Sequence, residues 1–255
     1  MNNATDYPLL VFVLSFFVLS LSALIGASFL KRQRKLEEDI RDDFGVIQAA
    51  TLTLLGLIIG FTFSMALNRY DQRKNYEAEE ANAIGTEYVR ADLLPAADAA
   101  KVRELLRNYL DQRVLFYTTT DEQQIPQIND RTAQLQTELW SAVLAPASAQ
   151  PTPTVALVVA GMNDVLNSQG YTQAAWWNRI PIEAWVLMAV IAIFCNLLLG
   201  YGSRNVKAER LMLLILPFVV TMAFFLIADI DSPRNGVIRV HPHNLISLVE
   251  SLHAH

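Results

Sequence analysis

Residues able to do chemistry are few in this chain, and their spacing narrows what they could do. The four histidines, His241, His243, His253 and His255, all fall within the last fifteen residues. A metal site needs histidines one helical turn apart or converging from separate segments. His241-Pro242-His243 followed by His253-Ala254-His255 fits neither pattern, so these residues read as a solvated tail. Glu77, Glu79, Glu80 and Glu87 form an acidic run. It could set a local ion preference, but the simpler reading is a solvated helix face. Cys195 is the single cysteine, which excludes an intrachain disulfide or a paired-cysteine metal site. In an apolar stretch it reads as a small buried hydrophobe. No nucleophile elbow, phosphate loop or His-Glu-x-x-His pattern occurs. No enzyme and no cofactor are expected.

The more informative pattern is a mixed face. Thr53, Leu57, Gly60, Phe61, Ser64 and Asn68 align at the helical angle of about 100° per residue. In lipid such a face must turn toward protein or water. Two chemistries fit. Gly56 and Gly60 form a small-xxx-small pair that lets two helices approach closely. Alternatively the face lines a pore, with Leu57 and Phe61, one turn apart, as an apolar constriction. Periodicity alone leaves both open.

The elements that carry these residues follow from composition. The 255 residues are 53% hydrophobic and only 18% charged, against about 25% charged in a soluble domain. Four stretches carry no charge: Tyr7 to Leu30, Phe44 to Asn68, Ala184 to Ser203 and Leu211 to Ala228. A bilayer core takes about 20 apolar helical residues, so the chain is read as a polytopic membrane protein with the lipid bilayer as its solvent. The first stretch lacks a basic residue before it and has Lys31-Arg32-Gln33-Arg34-Lys35 after it. That is the reverse of a signal peptide, and a retained helix is expected. Net charge is −5, from 20 basic and 25 acidic residues, so no nucleic-acid partner is expected.

Between the second and third apolar stretches lies a polar insert of helical period. Val102, Leu105, Leu106, Tyr109 and Leu110 lie on one face, as do Ile128, Leu135, Leu139 and Val143. Leu94-Pro95 ends one helix and Asp98 reads as the N-cap of the next. Ala145 to Thr154 reads as a break, and a further helix spans about Val155 to Gln169, stopping at Gly170. With no proline between Phe44 and Leu93, the second membrane helix is expected to continue into the insert. Trp176, Trp177 and Trp185 mark the interface, Asn196 is a packing amide and Pro217 kinks the fourth membrane helix. The fold class is all-α, with transmembrane helices 1 and 2 over 8–68, a polar helical domain over 69–179, transmembrane helices 3 and 4 over 180–228 and a tail over 229–255.

The run Gly60-Phe61-Thr62-Phe63-Ser64-Met65-Ala66-Leu67-Asn68-Arg69-Tyr70-Asp71-Gln72-Arg73, continuing through Glu80 to Thr86, resembles the signature of the bacterial bestrophin-like membrane proteins. More distantly it is similar to the bestrophin anion channels, where a Gly-Phe near the end of the second helix precedes an Arg-aromatic-x-x-Arg pattern. Gly60-Phe61 and Arg69, Tyr70 and Arg73 match it. A looser match, Asp229, Asp231, Pro233 and Gly236, stands where the channels carry an acidic-x-Pro-Phe-Gly segment. The resemblance implies a pore lined by the second helix, with the neck positions at Thr53, Leu57 and Phe61. Thr53 departs from the apolar pattern. It also implies a homo-oligomer of five subunits conducting inorganic anions. Only Asp229 and Asp231 stand where animal bestrophins hold several consecutive carboxylates, so no calcium gating is expected. The rival reading is a membrane-anchored sensor or scaffold that uses the insert to bind a ligand or partner.

Topology is where two expectations collide. The loops Lys31 to Asp43 and Arg204 to Arg210 are rich in basic residues, which by the positive-inside rule puts them in the cytoplasm. Both termini and the insert would then lie outside the inner membrane. The bestrophin arrangement implies the reverse. The loop charges tip the expectation toward termini outside.

Overall fold

The computed structural model describes residues 4–30, 41–203 and 211–253, and every regular element among them is helical. Eight main helices follow in order: α1 (Pro8–Ile25), α2 (Arg41–Arg90), α3 (Ala96–Thr118), α4 (Ile125–Ala149), α5 (Pro153–Trp177), α6 (Ile182–Gly202), α7 (Met212–Asp231) and α8 (His243–His253). Loop residues 31–40 and 204–210, on which the topology expectation rests, lie outside the described residues, as do His255 and Ala254. Among the described residues, four helical spans are long and apolar enough to cross a membrane. The chain forms two compact units, one of residues 1–70 and 179–239, the other of residues 71–178 and 240–255.

The membrane unit packs α1 along both α6 and α7. Its core includes Leu19, Leu55, Ala66, Trp185, Met188, Phe224 and Ile227, with Cys195 buried among them. Asn196 is fully buried and donates its Nδ2 hydrogen bond to the Ala192 carbonyl at 2.8 Å. Where α1 crosses α6 the backbones touch. A Cβ added to Gly200 would collide with the Ala23 carbonyl and stand 2.8 Å from the Ala27 amide, and one added to Gly26 would collide with the Leu197 carbonyl. Backbone cannot move aside as a side-chain tip can, so Gly200→Val should separate the two helices at a cost of about 1–3 kcal/mol. Thermal unfolding in detergent checks this, with Gly60→Ala, whose added Cβ meets nothing within 4 Å, as the control that does not lower the midpoint.

The helical unit is built from the polar part of α2 with α3, α4, α5 and α8. The one-sided patterns fold as expected: Val102, Leu106, Tyr109 and Leu110 of α3 and Ile128, Leu135, Leu139 and Val143 of α4 are buried. Several local boundaries differ from the sequence expectation. Asp98 sits in the first turn of α3, whose cap position is Pro95. The break expected over Ala145 to Thr154 shrinks to Gln150–Thr152, because α4 continues through a buried Pro146. The Thr152 hydroxyl then accepts the Val155 amide at 3.2 Å, and Pro153 occupies the first turn of α5, a favourable start. That helix passes straight through Gly170, since Thr172, Ala175 and Trp176 beyond it are buried. Packing outweighs the roughly 1 kcal/mol penalty of one mid-helix glycine.

Candidate functional site

Helix α2 is one uninterrupted helix of 50 residues from Arg41 to Arg90, far longer than a ~30 Å bilayer core requires. Along it, two faces behave differently. Leu55, Thr62, Ala66, Arg73, Glu77, Glu80, Ile84 and Glu87 are buried, and their spacing of three, four and seven residues makes one stripe. The opposite face holds Thr53, Leu57, Gly60, Phe61, Ser64 and Asn68, all exposed in the single chain. Leu57 is 52% and Phe61 66% exposed. A Cβ on Gly56 or Gly60 would meet nothing within 4 Å, so the small-residue pair seats no other helix among the described residues of the chain. The Thr53 hydroxyl donates to the Ala49 carbonyl at 2.9 Å, which satisfies its proton and leaves its oxygen turned outward.

At the end of the membrane unit the second motif builds a buried polar collar. Asp231, 2% exposed, receives the Ile180 amide at 3.2 Å, lies 3.4 Å from the Arg179 Nε and 4.0 Å from the Arg69 Nη1. Arg179 also pairs with Asp6, whose carbonyl accepts the Ser232 hydroxyl at 3.1 Å. Asp229 serves the chain locally: its carboxylate accepts the Val237 and Ile238 amides at 2.7 and 2.9 Å. The turn through Pro233 brings Gly236 against the Asp229 carbonyl so closely that any side chain there would collide. Tyr70 packs at the edge of the membrane-unit core. Arg73 is buried in the helical unit.

The acidic run is not the solvated face expected of it. Only Glu79 is exposed; Glu77, Glu80 and Glu87 are at most 1% exposed. Glu77 accepts the Asn244 amide and side chain at 2.9 and 2.6 Å and the Leu245 amide at 3.0 Å. It thereby caps the N-terminus of α8 with a negative charge, where free amides and the helix dipole favour one. The segment expected as a tail is accordingly a helix with Leu245 fully buried, although His241, His243 and His253 remain exposed. Glu80 pairs with fully buried Arg113 and accepts the Thr172 hydroxyl at 3.1 Å, and Arg113 lies 4.5 Å over the Phe116 ring. Burial opposes the Arg113 charge, but the Glu80 carboxylate and the Tyr109 and Tyr117 side chains together hold the guanidinium above its ordinary range. Asp6, Arg179, Arg113 and Thr172 escaped sequence reasoning. Asp6 did leave a trace, as a lone charge bordering the first uncharged stretch.

Four apolar spans joined to a helical unit, with one helix running through both, define a polytopic all-α membrane protein. The chain belongs to the Bestrophin-like family, whose domain matches residues 10–245. The fold is that of solved structures: a bestrophin homologue from Klebsiella pneumoniae matches at a TM-score of 0.62 and 14% identity, covering 96% of this chain and 95% of that one. A single-residue variant of it matches at 0.64 and 14%, covering 96% and 97%. A structure described as a membrane protein matches at 0.65 and 13%, covering 94% and 97%. No characterised protein matches at the level of sequence.

Proposed function

We propose that this chain is one subunit of an anion-conducting channel in the cell membrane, with several copies, five by the family resemblance, arranged so that α2 lines the pore. The observation that carries this reading is the unpaired mixed face of α2. A membrane helix that turns hydroxyl, amide and glycine positions away from its own chain needs protein or water opposite them. Several copies around an axis supply that water, whereas a lone chain would leave the face in lipid. The face carries no carboxylate, and the Ser64 hydroxyl and Asn68 amide on it are donors that suit an anion stripped of part of its hydration.

Leu57 and Phe61 then form the neck, about 6 Å apart along the axis, gating by dewetting. Replacing both with alanine should raise single-channel conductance in planar bilayers while the oligomer persists. Because both side chains are exposed in the protomer, the change should cost its fold no more than about 0.5 kcal/mol. An intact oligomer with unchanged conductance would contradict the gate. A monodisperse monomer without current would favour the anchored-sensor reading instead. For orientation, the basic loops favour termini outside the cytoplasm, and a reporter fused after His255 that is active only in the cytoplasm overturns this.

A further inference from the structure

On the membrane unit, an apolar groove of about 290 Å³ runs between α1, α6 and α7. Leu14 and Val18 form one wall, Trp185, Ala189 and Ile193 the other, and Phe224 lies at the floor. The Trp185 ring, 8% exposed, is braced edge-on against Phe224 at 6.1 Å. Its rims are open: Leu14 is 56% and Val186 55% exposed. From Trp185 to Ile193 the groove follows α6 for about 12 Å. One end reaches Thr5, next in sequence to the Asp6 carboxylate that pairs with Arg179. An apolar slot ending beside a charged collar complements an amphiphile, with its chain in the slot and its head at the collar.

The geometry points to the acyl chain of a bilayer phospholipid as the occupant of this groove. Its walls belong to bilayer-spanning helices, so its mouth opens at hydrocarbon depth. Helix α2 contributes no residue to it. If α2 faces the axis, as the channel reading on which this inference rests requires, the groove is not part of the conduit. Bulk lipid is as apolar as the groove, so transfer out of water does not hold the chain there. Contact does: a filled slot regains dispersion contacts that an empty one forfeits. The result should be a slowly exchanging lipid.

The purified oligomer, washed in detergent, should retain phospholipid in native mass spectra. In vesicles of phosphatidylcholine with a trace of brominated-chain phosphatidylcholine, Trp185 emission, isolated by difference against Trp185→Phe, should be quenched beyond random mixing. Ala189→Leu and Val18→Phe, filling the slot from opposite walls, should abolish both signals, while Leu187→Phe, an exposed position off the groove, should leave them. Quenching that follows random mixing, or retention equal in filled and unfilled variants, overturns the inference. So does loss of the oligomer rather than the lipid in the filled variants, which would make a neighbouring copy the occupant. Currents recorded in parallel separate the two readings. Normal conduction without retained lipid sinks only the groove, and retained lipid without conduction sinks only the channel.

Discussion

Arg113→Met should destabilise the helical unit by about 3–5 kcal/mol, because it leaves the Glu80 carboxylate buried with its main partner gone. Both side chains are fully buried, so water cannot replace the lost guanidinium. Thr172 and Tyr117 still donate to Glu80 at 3.1 and 3.5 Å, but neutral hydroxyls do not balance a charge in a low-dielectric interior. The phenol of Tyr117, 3.5 Å from the same carboxylate, is held far above its ordinary range by burial and then by the Glu80 charge, so it stays neutral. Glu80→Leu alone should also destabilise, since Arg113 then lacks its carboxylate. The double variant Arg113→Met with Glu80→Leu should recover much of the loss, because no charge remains to be desolvated. Unfolding of the three variants closes a double-mutant cycle. Strictly additive losses would show that the pair is not coupled.

Glu87 should make the helical unit lose stability as pH rises, and Glu87→Gln should remove that dependence. The residue is fully buried, and neither carboxylate oxygen has a hydrogen-bond partner among the described residues. Gly161 of α5 lies against it so closely that a Cβ there would collide with both the carboxylate and the Arg90 guanidinium. Burial raises the carboxyl from 4.5 to about 8; Arg90 on its own helix lowers it in part, and Asp164 from α5 raises it further. In the unfolded chain the group ionises near its ordinary value, so below that pH both states are protonated and nothing is lost. Between the two values the unfolded chain gives up the proton first, and stability falls by up to about 1.4 kcal/mol per pH unit. Above about pH 8 the penalty is complete, on the order of 4–5 kcal/mol. Hydrogen exchange of the α5 amides, followed from about pH 5 to pH 9 and corrected for intrinsic exchange, reads this as local opening. The wild-type chain should open progressively, and the glutamine variant should hold steady. Equal slopes would mean that Glu87 is ionised in the folded state.

Much of the architecture is legible from local composition. A bilayer imposes a length and forbids unpaired charge, so four uncharged stretches suffice to locate the spans. The absence of proline and the helical period foretell that α2 runs on through Arg90, because helix continuation depends on neighbours within a turn. The mixed face from Thr53 to Asn68 is legible for the same reason. Its exposure is not, since periodicity groups residues onto a face without saying what stands opposite.

What tertiary structure alone decided is which polar residues go inside. Glu77, Glu79 and Glu80 look alike in sequence, yet only Glu79 meets solvent. The difference lies in partners far along the chain: Arg113 and Thr172 for Glu80, Asn244 and Leu245 for Glu77. Asp229 and Asp231 stand two residues apart, and one closes a turn while the other receives an arginine from the start of the third membrane segment. The stretch after Val240 becomes a helix because Glu77 caps it and Leu245 finds a buried seat. Burial of a charge depends on a counter-charge or donor set delivered by another segment, and no local window of sequence contains that segment.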